Sequence, residues 1–144
     1  GWSTTAILMT LDRLQQGELF SSDMPYEDRS YSEEAIGILV DQKLKKRWSL
    51  SVGSDAACLP KLASELKHCD IFHYDSDKSY EGRAFAWETL SPCFSNETIV
   101  IFDDIHDNYH FRDLVTRLDV DFKIFELKGF FIGIFRINGK LEFN

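Results

Sequence analysis

Thr98-Ile99-Val100-Ile101-Phe102-Asp103-Asp104 decides the fold. Its first five residues are β-branched or apolar, without the alternation of a half-exposed strand and too short for a helix. Such a run describes a strand buried on both faces. Strands of that kind belong to parallel sheets, whose connections take a dozen or more residues and are usually helical. The run stops at two carboxylates, Asp103 and Asp104.

Working outward toward the amino terminus, residues 80–90 are a predicted helix, stopped near Pro92, and residues 71–74 a short strand ending at Asp75. Residues 56–68 form a further helix and residues 48–52 a strand ending at Gly53. Ser32 opens a helix in which Glu33, Glu34 and Ala35 precede Ile36, Leu39 and Val40. Residues 24–31 mix Pro, charge and Ser and read as a loop, and residues 18–22 are a short strand closed by Asp23. Residues 4–16 place Ile7, Leu8, Leu11 and Leu14 at helical spacing, with Ser3 or Thr4 as cap and Gly17 as terminator.

Beyond Asp104, residues 111–118 are helical by their period, and residues 122–127 and 130–137 are strands joined by Lys128-Gly129. A connection of two residues cannot cross over between parallel strands, so these two form an antiparallel hairpin. Asn138-Gly139 is a second turn signal, for a short terminal flap. The expected fold is one α/β domain over residues 1–144: a Rossmann-like, doubly wound, mostly parallel sheet with a carboxyl-terminal antiparallel hairpin.

Composition narrows the function. A chain of 144 residues can bury a substantial core, and twelve Phe residues make that core bulky. The formal net charge of -8 argues against nucleic acid, which needs a basic face. The one dense basic run, residues 43–47, reads as the solvated end of a helix. Cys58, Cys69 and Cys93 are odd in number and lack C-x-x-C spacing, so reduced thiols in a cytoplasmic protein are expected. No apolar run reaches the roughly 20 residues that span a bilayer.

Ligands in open α/β sheets sit outside the carboxyl ends of the strands. Those ends are Asp23, Gly53-Ser54-Asp55, Asp75-Ser76-Asp77 and Asp103-Asp104, and each delivers a carboxylate. Any single one is explained by the preference of Asp for turns and helix caps. Repetition at all four ends describes a site. Asp77-Lys78 as a solvated turn, Asp104 as a cap near Tyr109 and His106 as a surface residue are the plainer alternatives, residue by residue. His73 reads as a packed histidine, His68 and His110 offer no constellation, and Trp2, Trp48 and Trp87 read as core or site wall.

These residues carry a resemblance. Gly1-Trp2-Ser3-Thr4 resembles the tail of the glycine-rich first motif of class I S-adenosylmethionine-dependent methyltransferases. Residues 70–82, from Asp70-Ile71-Phe72-His73-Tyr74-Asp75 through Tyr80-Glu81-Gly82, are similar to the fourth-strand motif of the macrocin O-methyltransferase-like subgroup. Thr98 through His106 resembles that subgroup's fifth strand, and the closing hairpin fits its antiparallel seventh strand.

The resemblance implies an S-adenosylmethionine-dependent methyltransferase that methylates a small-molecule hydroxyl. Asp23 follows Gly1 by about 20 residues, the spacing at which an acidic residue accepts ribose hydroxyls in nucleotide folds. By resemblance, Gly1, Ser3, Thr4, Asp23 and Asp75 contact the cofactor, and Ser54, Asp55 and Ala56 border its adenine. Asp75, Asp103 and Asp104 are the implied ligands of a divalent ion, with oxygen donors favouring Mg or Mn over Zn. Lys78 and His106 are the candidate bases beside Asp75. Aspartates around Lys78 hold its proton on, which favours His106.

The family's first strand, with its acidic residue and first glycines, would precede Gly1, so an incomplete copy of a longer product is expected, with neighbouring strand edges unpaired. Two other functions stay open. One is a non-catalytic methyltransferase-like domain for assembly or ligand sensing; the other is a nicotinamide-binding domain, which has no use for the hairpin or for Asp103-Asp104. The expected partner is a small molecule, not nucleic acid or membrane, and nothing in the sequence opposes a homo-oligomer.

Overall fold

The computed structural model describes residues 1–25 and 35–137. These residues form two compact units, 1–58 and 59 onward. In the first, helix α1 (Trp2–Leu14) is followed by strand β1 (Leu19–Asp23), a 3-10 turn (Lys45–Arg47) and strand β2 (Trp48–Val52). Helix α2 (Asp55–Glu65) begins in this unit and ends in the second. The second unit continues with β3 (Cys69–Tyr74), α3 (Tyr80–Leu90), β4 (Phe94–Phe102), α4 (His110–Leu118), β5 (Phe122–Leu127) and β6 (Phe130–Arg136).

Strands β1 and β2 pair in parallel, with Leu19 opposite Trp48 and Asp23 opposite Val52. In the second unit the order is β3-β4-β6-β5: β3 and β4 are parallel, and β6 runs antiparallel to both neighbours. The four-stranded sheet is therefore mixed, and its antiparallel part includes the hairpin that the two-residue connection required. Leu127 pairs with Phe130, and both intervening residues have positive φ, Lys128 at 53° and Gly129 at 85°. That is the backbone of a turn whose twist matches its strands.

The core of the second unit lies on one face of this sheet. Phe72 and Tyr74 of β3, Val100 and Phe102 of β4 and Phe135 of β6 pack with Trp87 of α3 and Phe111 of α4. Their rings meet at 5.8–6.3 Å in tilted or edge-on pairs, among them Phe72 with Phe102 (5.9 Å) and Phe111 with Phe135 (6.1 Å). Gly133 on β6 is where the Phe111 ring meets the sheet; a Cβ there would collide with it.

Several sequence expectations are corrected. Helix α1 starts at Trp2 with no side-chain cap, because the Gly1 carbonyl already accepts bonds from the Thr5 amide (3.0 Å) and hydroxyl (2.8 Å), placing Ser3 and Thr4 inside the first turn. The helix expected from Ser32 lies partly outside the described residues, and from residue 36 onward the chain forms turns. Gly37 breaks any helix there with φ of 71°, packed so closely under the Trp48 ring that a side chain has no room. The basic run is a 3-10 turn, with Lys46 3.3 Å from Asp12 and Arg47 donating to the Gly17 carbonyl. On β4 only one face is fully buried: Thr98, Val100 and Phe102 are covered, whereas Ile99 and Ile101 are half-covered. Trp2 is 81 % exposed, and His73 is exposed on β3 between Phe72 and Tyr74, so neither is a core residue. The Asn138-Gly139 turn lies outside the described residues.

Candidate functional site

The register of β3 and β4 builds the site of the second unit. Tyr74 lies opposite Phe102, so the next residues, Asp75 and Asp103, leave the sheet side by side. The Asp103 amide donates to the Tyr74 carbonyl at 3.0 Å and fixes that neighbourhood. Asp104 then turns with φ of 49°, a left-handed conformation that Asp tolerates better than most residues. The result is that Asp75, Asp103 and Asp104 each present a carboxylate oxygen within 4.8 Å of the others. All three metal candidates read from the sequence come together.

Lys78 sits among them. Its ammonium is hydrogen-bonded to Asp75 Oδ1 and lies 3.2 Å from Asp104 Oδ2. Partial burial disfavours its charge, but hydrogen bonds and charge from Asp75 and Asp104 outweigh that and raise its pKa above the ordinary lysine value. Lys78 is thus a resident cation of the cluster, as the surrounding aspartates imply, and a poor base. His106 is not one of the clustered groups: its imidazole packs against Phe131 at 5.6 Å between ring centres and is 3.5 Å from Asp107. Asp77 is a turn residue, accepting from the Ser79 amide at 2.8 Å, with Gly82 close against its carboxylate. Ser79 caps α3 by accepting from the Gly82 amide at 2.9 Å.

Hard carboxylate oxygens at this separation suit Mg²⁺ or Mn²⁺, whose bonds of about 2.0–2.1 Å would draw them inward by a small side-chain movement. The ammonium already bridging two of them shows that the cluster accommodates positive charge. Three carboxylates this close repel one another, and positive charge placed between them relieves that repulsion.

The remaining candidates belong to the first unit. Asp23 is exposed at the end of β1, and its carbonyl accepts from the Gly53 amide at 3.0 Å, joining it to the Gly53-Ser54 turn. The Ser54 carbonyl accepts from Ala57 and Cys58, and Asp55 and Ala56 open α2. Gly1, Ser3 and Thr4 form the start of α1. Asp23 and the Ser54-Asp55-Ala56 turn therefore meet along one edge, at the carboxyl ends of β1 and β2.

A family model described as a methyltransferase domain matches residues 1–105. The chain belongs to this family. Solved methyltransferases share its fold at low identity. The MycE methyltransferase of the mycinamycin biosynthetic pathway, in complex with Mg and SAH, matches at 14 % identity and a TM-score of 0.58 over 92 % of this chain and 40 % of its own. A Geobacter sulfurreducens methyltransferase matches at 19 % identity and 0.56, over 92 % of this chain and 78 % of its own. The SAH-bound Podospora anserina methyltransferase PaMTH1 matches at 12 % identity and 0.51, over 83 % and 60 %. The chain thus spans about two fifths of the MycE chain. No curated protein matches its sequence. No helix among the described residues is long and apolar enough to cross a membrane.

Two polar residues beside the cluster were not read from the sequence. Arg83, on α3, is 1 % exposed, and Asn108 precedes α4. A signal for Arg83 exists: it shares the spacing of Ala86, Trp87 and Leu90, the buried stripe of α3, so its position is that of a core residue.

Proposed function

We propose that this protein is an S-adenosylmethionine-dependent methyltransferase that acts on a small-molecule hydroxyl, assisted by a divalent cation at Asp75, Asp103 and Asp104. The observation that supports this most is the convergence of those three carboxylates at the carboxyl ends of β3 and β4. Membership of the methyltransferase domain family supports the cofactor, and MycE, solved with Mg, SAH and mycinamycin VI, supports the cation and the class of acceptor.

In this reading Asp23 accepts the ribose hydroxyls, Ser54, Asp55 and Ala56 border the adenine, and Gly1, Ser3 and Thr4 approach the cofactor from the start of α1. A divalent cation, when bound, lowers the pKa of the acceptor hydroxyl and fixes its oxygen. Asp75 and Lys78 orient the acceptor, and His106 takes its proton. Methyl transfer is otherwise an alignment problem, in which orientation supplies roughly 7–11 kcal/mol. Residues 1–144 act as one domain in this reading, and the free thiols Cys58, Cys69 and Cys93 suit the cytoplasm.

The test is calorimetric titration with S-adenosylhomocysteine, with and without Mg²⁺, against an NAD control. Binding confined to S-adenosylhomocysteine, with additional heat from Mg²⁺, is the expected result. A folded sample that binds NAD instead, or binds neither, overturns the reading.

A further inference from the structure

We infer that Arg83 is the positioning residue of the carboxylate cluster, a buried clamp that holds the Lys78 and Asp104 segments in register across it. The inference rests on the proposed cation site and goes beyond it by naming what sets its shape.

Asp75 and Asp103 are fixed by strand register, whereas Lys78 and Asp104 lie past the strand ends; on the Asp104 side, the Ile105 amide is tied to the Phe131 carbonyl (3.0 Å) and the Asp107 amide to the Asp104 carbonyl (3.2 Å). Arg83 joins that segment to Lys78. Its Nε donates to the Lys78 carbonyl at 3.3 Å and its Nη2 to the Asp104 carbonyl at 2.9 Å. One planar guanidinium thus joins two segments that are distant in sequence, and its rigid fork fixes their separation. Asn108 reinforces one side: its Nδ2 also donates to the Lys78 carbonyl, at 2.6 Å, while its Oδ1 accepts from the His110 amide that opens α4.

The charge arrangement points the same way. A guanidinium this deeply buried is costly, and no carboxylate pairs with it among the described contacts. Its Nη1 has no hydrogen-bond partner. At a purely structural position, an apolar side chain of similar volume is often as stable or more so. The partners Arg83 does hold are the backbone carbonyls of the two residues whose side chains meet at the cluster. Asp104 has a left-handed φ, and its carbonyl accepts from both Arg83 Nη2 (2.9 Å) and the Asp107 amide (3.2 Å).

The experiment compares wild type with Arg83→Lys, whose single ammonium lacks the planar fork that spans the two carbonyls. Amide hydrogen exchange across the chain and Mn²⁺ binding, followed by the paramagnetic signal of the free ion, are measured on both. In the variant, exchange should rise at residues 78–83 and 104–108 while the β5–β6 hairpin keeps wild-type protection. Mn²⁺ affinity should fall about tenfold, the lower end of what loss of a ligand-orienting partner costs. Wild-type exchange in those two segments overturns the inference, and so does a uniform rise that includes the hairpin. A wild type that binds no Mn²⁺ removes the cation reading, whereas the exchange pattern still decides the clamp. Should Arg83→Lys not fold, the side-chain Nε–H of Arg83 in the wild type decides: slow exchange of this proton, with a resonance that shifts on Mg²⁺ addition, supports the clamp, and rapid exchange refutes it.

Discussion

Replacing Lys78 with Met should tighten cation binding. The ammonium of Lys78 occupies the charge position that a divalent ion would take, bonded to Asp75 and 3.2 Å from Asp104. Its side chain is 31 % exposed, so each pair is screened and worth at most about 1 kcal/mol. A cation entering the cluster therefore gives up at most about 2 kcal/mol of ion pairing, which at 1.4 kcal/mol per decade is at most about 30-fold in affinity. Met keeps the length of the stem and removes only the charge. Titration with Mn²⁺ at neutral pH and low salt should give a lower Kd for Lys78→Met than for wild type, by up to about 30-fold, with Lys78→Arg close to wild type. Unchanged or weaker binding in Lys78→Met would refute the reasoning, since it would mean that the ammonium and the ion do not compete for the same oxygens.

His110 links stability to pH. Burial first, then the positive charges of Arg83 and Arg117, lower its pKa to about 4, with Asp113 opposing. It is neutral in the folded protein, whereas the unfolded chain takes up a proton near the ordinary value of 6.5. Its contribution is full above that value and lost as pH falls toward 4, on the order of 3 kcal/mol, and urea midpoints for wild type should drop more steeply over that interval than those for His110→Gln. Gly133→Ala should lose about 1–3 kcal/mol because its methyl meets the Phe111 ring, and Phe111→Leu in the same chain should restore part of it in denaturant unfolding. Lys128→Asn should raise the unfolding midpoint by up to about 1 kcal/mol of stability, since Asn tolerates the positive φ of the hairpin turn better than Lys.

What the sequence disclosed depended on whether local pattern or long-range contact determined it. The run from Thr98 to Phe102, the two-residue connection at Lys128-Gly129 and the helix over residues 80–90 stopped near Pro92 are local signals, and the elements they predict are present. Asp75, Asp103 and Asp104 were found because strand ends in a parallel sheet share one edge, so topology alone brings them together. Arg83 escaped because charged side chains on helices are usually solvated; only its place in the stripe with Ala86, Trp87 and Leu90 marks it as buried. His110 escaped similarly, because the features that define it, the Phe102 ring at 5.4 Å and the Tyr80 ring at 5.3 Å, come from distant parts of the chain. Ser3 and Thr4 misled as caps because a carbonyl, that of Gly1, started the helix without a side chain.

The place of β6 has a consequence for synthesis on the ribosome. It is the last described strand in sequence, yet it lies between β4 and β5. A nascent chain that has emerged only as far as Leu127 carries β5 with nothing to pair with and β4 with an open apolar edge. Such intermediates are prone to sticking to one another and are natural clients of chaperones. The ribbon of β5 and β6 can close within microseconds once β6 is clear, so the step that completes the sheet is its arrival against β4, Ile101 meeting Ile134 and Val100 meeting Phe135. A pause in translation just before β6 would lengthen the vulnerable interval; one after it would not.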